Sequence, residues 1–157
     1  MFLDYSTFLQ VIDSAPLVSI DLVILNEDNQ ALLGERLNKP AQGSWFVPGG
    51  RILKNESLDK AFERLTIEEL GEAFTILEAT LLGPFEHFYD ENVFGDSIST
   101  HYVAIAYILR LSKPLTDLPH DIQHGKYKWF DIESLLIDKK VHKYTKWYFD
   151  ALQNTKE

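Results

Sequence analysis

Residues 50–71 read GRILKNESLDKAFERLTIEELG. From Ser57 onward apolar residues recur at helical spacing, which predicts a helix over residues 57–70 with Ser57 as its N-cap. Gly71 stands where a glycine in the left-handed conformation commonly ends a helix. The apolar stripe of this predicted helix consists of Leu58, Ala61, Phe62, Leu65 and Leu70.

Three carboxylates, those of Glu68, Glu69 and Glu72, crowd the last turn of the predicted helix. Each opposes the helix macrodipole at a cost of roughly 0.3–1 kcal/mol, and Arg64, four residues before Glu68, offsets only part of it. A bound divalent cation would relieve the repulsion, and Mg²⁺ prefers a few carboxylate and carbonyl oxygens together with substrate phosphates. The helix end is therefore a candidate metal site; the alternative is an acidic, solvated surface, the usual meaning of a charge run.

Length and composition favour one globular domain over residues 1–157, since 45% of the chain is hydrophobic and 25% is charged. The net charge of −9 argues against nucleic-acid binding. The absence of cysteine excludes disulfides, zinc–thiolate sites and thiol catalysis. No apolar run is long enough to cross a membrane, and the first residues lack the pattern of a secretory signal. We therefore expect a cytoplasmic protein that binds neither nucleic acid nor membrane.

Strand patterns surround the central helix and predict a mixed sheet with helices on both faces, an α/β/α sandwich. We predict strands at residues 17–25, 30–36, 45–47, 79–89, 101–111 and 127–131, with further helices at 5–13 and 141–154. The connecting segments 26–29, 37–44, 90–99 and 115–126 lack either period and are predicted to be turns or loops.

The stretch at 50–71 resembles the Nudix box, whose pattern is G-x5-E-x7-R-E-U-x-E-E-x-G-U with U an apolar residue. The positions that match are Gly50, Glu56, Arg64, Glu68, Glu69 and Gly71. The resemblance implies the Nudix fold, in which the box forms a loop–helix–loop that binds Mg²⁺, or Mn²⁺ in its place, and nucleoside diphosphate derivatives.

The chain departs from the box pattern at three positions. Leu65 stands in place of a glutamate, and Thr66 and Glu72 stand in place of apolar residues. The carboxylate missing at Leu65 is the one that helps bind metal or activate water for attack on phosphorus. The change therefore indicates either lost catalytic power or chemistry at another atom.

A wider similarity favours chemistry at another atom. Residues 19–50, 87–103 and 121–129 are similar to the GDP-mannose mannosyl hydrolase branch of the Nudix family. In that branch the altered glutamate position is part of the pattern, and water attacks the anomeric carbon of the sugar with inversion. The resemblance implies that a nucleotide sugar, GDP-mannose and also GDP-glucose, is split into GDP and hexose. The alternatives are cleavage of a nucleotide sugar at phosphorus and a catalytically idle nucleotide-sensing module.

The resemblance also implies the metal ligands and the base. The ligands are the Gly49 carbonyl, Glu69 and Gln123, and the general base that accepts a proton from water is His124. Of the five histidines, the residues alone do not select one, and His120 is a nearby alternative.

The expected substrate contacts begin with Arg36 and Arg51, which flank the Gly49–Gly50 turn and suit bidentate binding of phosphate oxygens. Asp21 interrupts an apolar strand, so it is either a buried carboxylate that needs a partner, matched to a sugar hydroxyl, or an edge-strand residue facing water. Arg64 is expected to pair with Glu68 and to orient the glutamates.

Further contacts come only from the resemblance. His87 and Tyr102 match positions that line the leaving diphosphate, although both suit half-buried places in a sheet. Phe2, Tyr5 and Phe8 match aromatic residues that stack on guanine in a homodimer. Thr7 occupies a position where the family has an acidic residue.

Overall fold

The structure, a computed structural model, describes residues 3–95, 97–119 and 124–154, with the backbone alone at 124 and 125. Its helices are α1 (Tyr5–Ser14), α2 (Leu58–Leu70), α3 (Ile132–Ile137) and α4 (Lys143–Asn154), with a 3-10 turn at Ile76–Glu78. Its strands are β1 (Leu17–Leu25), β2 (Gln30–Arg36), β3 (Trp45–Phe46), β4 (Gly49–Arg51), β5 (Ala79–Tyr89), β6 (Thr100–Arg110) and β7 (His124–Asp131).

One mixed sheet organises these elements around β1. The strand order is β3-β2-β1-β6-β5, with β4 also paired to β1 and β7 also paired to β2. Strand β1 runs parallel to β6, from Leu17 opposite Tyr102 to Leu25 opposite Arg110, and the other pairings are antiparallel. The predicted mixed sheet is therefore confirmed.

Alternate side chains of β1 supply two cores, one on each face of the sheet. Ile20, Leu22 and Ile24 pack on the α2 side, and Val23 and Leu25 pack on the side of α3 and α4. Both faces are thus covered by helices, and the expected α/β/α sandwich is confirmed. No helix in the described ranges has both the length and the apolar character needed to cross a membrane.

The central helix follows the sequence closely. The Ser57 hydroxyl accepts the Lys60 N–H at 3.3 Å, and Gly71 ends α2 with a φ of 75°. Four residues of the apolar stripe are buried, Ala61, Phe62, Leu65 and Leu70, whereas Leu58, the first helical residue, lies at the rim and is 43% exposed.

The observed boundaries of strands and helices differ from the predicted ones where strand pairing or helix capping determines where the element begins. Strand β7 begins at His124, inside the predicted loop, because its backbone continues the ladder with β2 as far as Arg36. Helix α4 begins at Lys143 rather than at Val141. Strand β4 and helix α3 were not predicted, since they span 3 and 6 residues and are too short to show a period.

Candidate active site

Arg64 ties α2 to the loop before it. Its Nε and Nη2 donate to the two carboxylate oxygens of Glu56 at 2.7 and 2.9 Å. Nη2 also donates to the Arg51 carbonyl at 2.9 Å, and Nη1 to Glu68 at 3.1 Å. These hydrogen bonds from Arg64 lower the pKa of Glu56 to about 2. The predicted pairing with Glu68 is confirmed, and Arg64 is engaged by the protein itself rather than directed at a ligand.

The glutamates at the end of α2 point in different directions. Glu72 is exposed, and the Glu68 side chain is 53% exposed beside Arg64. Glu69 is only 2% exposed, and its Oε2 accepts a hydrogen bond from the Tyr127 hydroxyl of β7 at 3.3 Å. Glu69 is therefore the carboxylate of this turn that faces the protein interior.

Two adjacent glycines let β4 approach its neighbours closely. A Cβ on Gly49 would lie 2.4 Å from the Ile20 carbonyl oxygen and 2.7 Å from the Asp21 carboxylate. A Cβ on Gly50 would lie 2.6 Å from Leu65 Cδ2. Packing against β1 and α2 thus explains why neither position carries a side chain.

The ladder between β1 and β4 also fixes where the Gly49 carbonyl points. Ile52 N–H donates to the Val18 carbonyl at 2.8 Å, and hydrogen-bonded positions alternate along an antiparallel pair. Gly49 and Arg51 occupy the intervening positions, so their carbonyls point away from β1. The Arg51 carbonyl accepts from Arg64 of α2, and the Gly49 carbonyl, two residues earlier, has the same orientation.

These donors fit a hard divalent cation. Glu69 offers a carboxylate and Gly49 a backbone carbonyl, and oxygen ligands of this kind suit Mg²⁺. Within the described ranges, no three histidine, aspartate or glutamate side chains come together to form a complete cage. Mg²⁺ usually keeps several waters and binds substrate phosphates, so a sparse set of protein ligands is compatible with it. Gln123, the third expected ligand, lies outside the described residues.

Two of the three departures from the box pattern, Leu65 and Thr66, have structural reasons. Leu65 is 2% exposed and packs against Gly50, so an apolar contact occupies the place next to the glycine turn where the pattern has a carboxylate. The buried Thr66 hydroxyl donates to the Glu63 carbonyl at 2.8 Å and accepts the Phe74 N–H at 3.0 Å. Thr66 therefore holds the chain that leaves α2.

On the opposite face of the sheet, Asp21 belongs to a hydrogen-bonded network. The Tyr148 hydroxyl of α4 lies 2.5 Å from Asp21 Oδ2 and 3.1 Å from His87 Nε2. Burial raises the pKa of Asp21 to about 6, opposed by the Tyr148 hydrogen bond and the charge of Arg36. Because β1 is the central strand, the edge-strand alternative for Asp21 is wrong.

His87 is buried and neutral within this network. Its ring stacks on Tyr144 with centroids 4.3 Å apart. Burial and the nearby His142 lower the pKa of His87 to about 4. Since the Tyr148 hydroxyl donates to the Asp21 carboxylate, its oxygen accepts from the Nε2–H of His87. Tyr102 lies opposite His87 in the β5–β6 ladder, and burial raises its pKa.

The two expected phosphate-binding arginines reach the same region. Both lie close enough to Tyr102 for their charges to lower its pKa against the effect of burial. The guanidinium carbon of Arg36 lies 5.6 Å from the centre of the Phe46 ring. Its Nε is buried without a hydrogen-bond partner among the described residues. An unsatisfied buried donor is costly, so Arg36 is suited to an acceptor supplied by a ligand.

The first helix brings aromatic rings to Arg51. The Arg51 guanidinium lies 4.8 Å from the Phe8 ring centre, and Phe8 and Tyr5 both pack on Phe94, at 5.9 and 4.5 Å between ring centroids. Sequence reasoning missed Phe94, which lies in a polar hairpin loop. Thr7 donates its N–H to the N-capping Asp4 side chain. Phe2 lies outside the described residues, and the homodimer stays a prediction.

The backbone of His124 lies opposite Arg36 in the β2–β7 ladder. This register places the backbone of the expected base at the strand end that carries Arg36, an expected phosphate-binding residue. The side chain of His124, and the whole of His120, lie outside the part of the chain that the structure describes.

Sequence reasoning also missed Tyr148 and His142. A carboxylate within an apolar strand needs a hydrogen-bond donor. The aromatic residues of the last predicted helix include tyrosines that could supply one, and this was the available sequence signal for Tyr148. His142 precedes α4 and stacks on Phe46 with ring centroids 4.6 Å apart.

Comparison with known proteins gives a family match and several relatives. The NUDIX domain family matches residues 15–151. Low-salt glycan biosynthesis protein Agl8 of Haloferax volcanii is 43% identical over 142 residues, 90% of this chain and 85% of the relative. The human 8-oxo-dGDP phosphatase NUDT18 is 31% identical over 113 residues, 65% of this chain and 35% of the relative.

Solved structures are similar in fold. The MutT protein from Methanosarcina mazei Go1 superposes with a TM-score of 0.72 at 21% identity, covering 92% of this chain and 99% of that one. The NUDIX domain of Shewanella oneidensis NrtR, in complex with ADP ribose, has a TM-score of 0.68 at 19% identity, covering 98% and 99%. At these identities the likeness shows the fold alone.

Proposed function

The chain belongs to the Nudix hydrolase family, and from this premise we propose that it is a Mg²⁺-dependent enzyme that hydrolyses a nucleotide sugar. The substrates are GDP-mannose and GDP-glucose, and the products are GDP and the free hexose. The name of the Haloferax volcanii relative places that protein in glycan biosynthesis, which supports a substrate that carries a sugar.

One observation favours attack at the anomeric carbon over attack at phosphorus. Leu65, buried against Gly50, occupies the box position whose carboxylate would otherwise activate water at phosphorus. A leucine neither binds metal nor accepts a proton, so attack on phosphorus lacks one of its usual groups. Attack at the anomeric carbon does not use that group, because His124 is the proposed base for the attacking water. The diphosphate leaves as an anion, so its departure requires charge stabilisation rather than a proton donor.

The residues divide the reaction between them. Arg36 and Arg51 hold the diphosphate oxygens, and Asp21, oriented by Tyr148, accepts a hydrogen bond from a sugar hydroxyl. His124 accepts a proton from water while the water oxygen bonds to the anomeric carbon and the bond from that carbon to GDP breaks. Gly49, Glu69 and Gln123 would hold Mg²⁺, which would supply positive charge to the diphosphate.

The position of an isotope label tests the bond that is cleaved. In oxygen-18 water with Mg²⁺, GDP-mannose should give labelled hexose and unlabelled GDP. GMP and hexose 1-phosphate with label in a phosphate would instead support the alternative, a pyrophosphohydrolase. Magnesium binding without turnover of any nucleotide sugar in a panel would indicate the nucleotide-sensing module.

Substitution of His124 tests the base. General-base catalysis typically contributes 10²–10⁴-fold, so His124→Gln should lower kcat by about that factor with little change in KM. Arg36→Gln is the contrast, because loss of a phosphate contact should raise KM as well. A His124→Gln enzyme with nearly normal kcat would move the base to another residue, with His120 next in line.

A further inference from the structure

The imidazole of His142 is held in one orientation. The residue is the N-cap of α4, since its carbonyl accepts the Lys146 N–H at 3.2 Å and its Nδ1 accepts the Tyr144 N–H at 3.1 Å. The ring stacks on Phe46 at an interplanar angle of 21°. These contacts fix the position of the ring and commit Nδ1 to accepting the hydrogen bond of the cap.

The cap determines where the proton lies. Because Nδ1 accepts a hydrogen bond from a backbone N–H, it carries no proton, and the neutral ring carries its proton on Nε2. Burial and the charges of Lys143 and Arg36 lower the pKa of His142 to about 4, so the ring is neutral near pH 7. His142 is therefore unsuited to act as a general base, because its basic nitrogen is occupied by the cap. It presents a fixed N–H donor.

His142 lies among the candidate site residues. Its ring centroid is 5.8 Å from that of Tyr89 and 4.9 Å from that of Tyr144, whose ring also stacks on His87. Phe46, on which His142 stacks, also contacts the Arg36 guanidinium. The ring borders an open cleft of about 450 Å³ that is otherwise lined by Ala41, Phe88, Tyr89, Asp90, Glu91 and Lys143.

The cations that act on this donor favour an anionic acceptor, although Asp90 and Glu91 also line the cleft. Arg36 and Lys143 are the charged groups that act on His142. The Nε of Arg36 has no acceptor among the described residues. The hydrogen bond from the Tyr144 N–H uses Nδ1 of His142, so the cap does not use Nε2–H. The carboxylate of Glu91 in the same cleft is already engaged by the Ala41 N–H at 2.6 Å and by Lys39 at 3.9 Å.

We propose that His142 is a substrate-binding residue whose Nε2–H donates to a phosphate oxygen of the nucleoside diphosphate, next to Arg36. The resemblance gave His87 a place at the diphosphate, but the Nε2–H of His87 is used by Tyr148. His142 supplies a neutral donor in that region. The inference rests on the proposed function in requiring a diphosphate-bearing substrate, and it does not depend on which bond is cleaved.

Two variants separate the donor from the cap. In His142→Asn, the short side chain keeps an oxygen that can cap α4 but has no group that reaches the Nε2 position. In His142→Gln, the amide nitrogen can occupy the Nε2 position, but the acceptor for the Tyr144 N–H is lost. His142→Asn should keep the thermal midpoint of unfolding and lose affinity for the diphosphate. His142→Gln should keep the affinity and have a lower thermal midpoint.

Calorimetric titration with GDP and with inorganic pyrophosphate, each with Mg²⁺, measures the affinity. A hydrogen bond to a charged group is typically worth enough to weaken binding about tenfold to hundredfold when it is removed, which is the expectation for His142→Asn. His142→Gln should bind within about threefold of the wild type while melting at a lower temperature.

The inference is overturned by unchanged GDP and pyrophosphate affinity in His142→Asn, by equal weakening in both variants in step with lost stability, or by a wild type that binds neither ligand. Unchanged GDP affinity with a raised KM for GDP-mannose would assign His142 to the sugar and also overturn it. If the affinities separate as expected but GDP-mannose is not hydrolysed, the proposed function fails while the inference about His142 stands.

Discussion

The hydroxyl of Tyr148 donates a hydrogen bond to Asp21 at 2.5 Å, joining the last helix to the central strand across 127 positions of sequence. The same oxygen lies 3.1 Å from Nε2 of His87. The buried Tyr148 and His87 and the partly buried Asp21 thus satisfy one another, as polar groups removed from water must. The network holds one carboxylate oxygen of Asp21, and Oδ1 is left on the side of Gly49.

Tyr148→Phe should raise the pKa of Asp21 above its value of about 6, because the lost hydrogen bond is one of the interactions that favour the carboxylate. Leaving that carboxylate and His87 without the hydroxyl should also lower the free energy of unfolding by about 1–3 kcal/mol. NMR titration of the Asp21 carboxyl and urea unfolding measure the two effects.

Tyr144→Phe is the matched control, since the Tyr144 hydroxyl bonds the backbone of Phe88 rather than a carboxylate. It should lower stability and leave the titration of Asp21 unchanged. Equal titration of Asp21 in the wild type and in Tyr148→Phe would show that the hydroxyl does not set the state of this carboxylate.

The stability of the protein should depend on pH through His87. Its pKa is about 4 in the folded protein against an ordinary value of 6.5, so between these pH values the unfolded chain binds more protons. This contribution to stability is fully present above about pH 6.5 and is lost as the pH falls towards 4. Asp21 acts in the opposite sense, because its raised pKa makes stability fall as the pH rises from about 4 to about 6.

His87→Gln isolates the histidine contribution, because the amide can still donate to Tyr148 but does not titrate. Over the range in which His87 titrates, the free energy of unfolding of the wild type should rise with pH more steeply than that of the variant. The difference in slope is up to about 1.4 kcal/mol per pH unit for one proton. Urea unfolding at several pH values measures both slopes. Parallel profiles would mean that His87 titrates normally in the folded protein.

The two glycines of β4 should differ in their tolerance of alanine. A Cβ on Gly50 would meet the end of the Leu65 side chain, which can move, so Gly50→Ala should cost about 1–3 kcal/mol, typical of overpacking. A Cβ on Gly49 would meet the backbone carbonyl of Ile20, which cannot move without breaking the ladder. Gly49→Ala should therefore be the more destabilising variant.

Leu65→Ala tests whether the Leu65 side chain is what disfavours a Cβ at Gly50. If Leu65 is the obstacle, Gly50→Ala and Leu65→Ala combined should cost less than the sum of the single changes. Leu65→Ala should leave the cost of Gly49→Ala unchanged. Additive costs at Gly50 and Leu65, measured by chemical unfolding, would contradict the proposed contact.

The sequence predicted those elements whose signals are local. Strand β1 was predicted from Leu17 to Leu25 because it is a nearly continuous apolar run, and α2 because Ser57 and Gly71 mark its ends. The start of β7 depends instead on where β2 offers a partner. A segment as short as β4 carries no period, and its pairing with β1 decides its conformation.

The same division applies to the site. Glu69 and Arg64 were predicted as candidate site residues because they match positions of the box pattern within one short helix. The partner of Asp21 was not found, because Tyr148 is distant in sequence and aromatic residues of the last helix are usually core. The role of His142 as a cap depends on where α4 begins, which differed from the prediction by two residues.

The difference between Glu69 and Glu68 leads to the prediction that tests the metal site. Glu69 is 2% exposed and faces Tyr127, whereas the Glu68 side chain is 53% exposed and bonds Arg64. Glu69→Gln should lose orders of magnitude in turnover and in Mg²⁺ affinity, because a neutral amide is a poor substitute for a carboxylate on this ion. Without metal, the variant should be at least as stable as the wild type, since one unfavourable charge leaves the helix end.

Glu68→Gln is the matched control, since it removes the same charge one residue away and weakens only an exposed contact of Arg64, worth little in stability. It should retain Mg²⁺ affinity and turnover within about tenfold, a loss of no more than ~1.4 kcal/mol in binding or barrier. Calorimetric Mg²⁺ titration and initial rates on the same preparations compare the two variants. If Glu68→Gln proved the more damaging change, the ion would lie on the solvent side of α2, and the buried carboxylate of Glu69 would serve the structure through Tyr127.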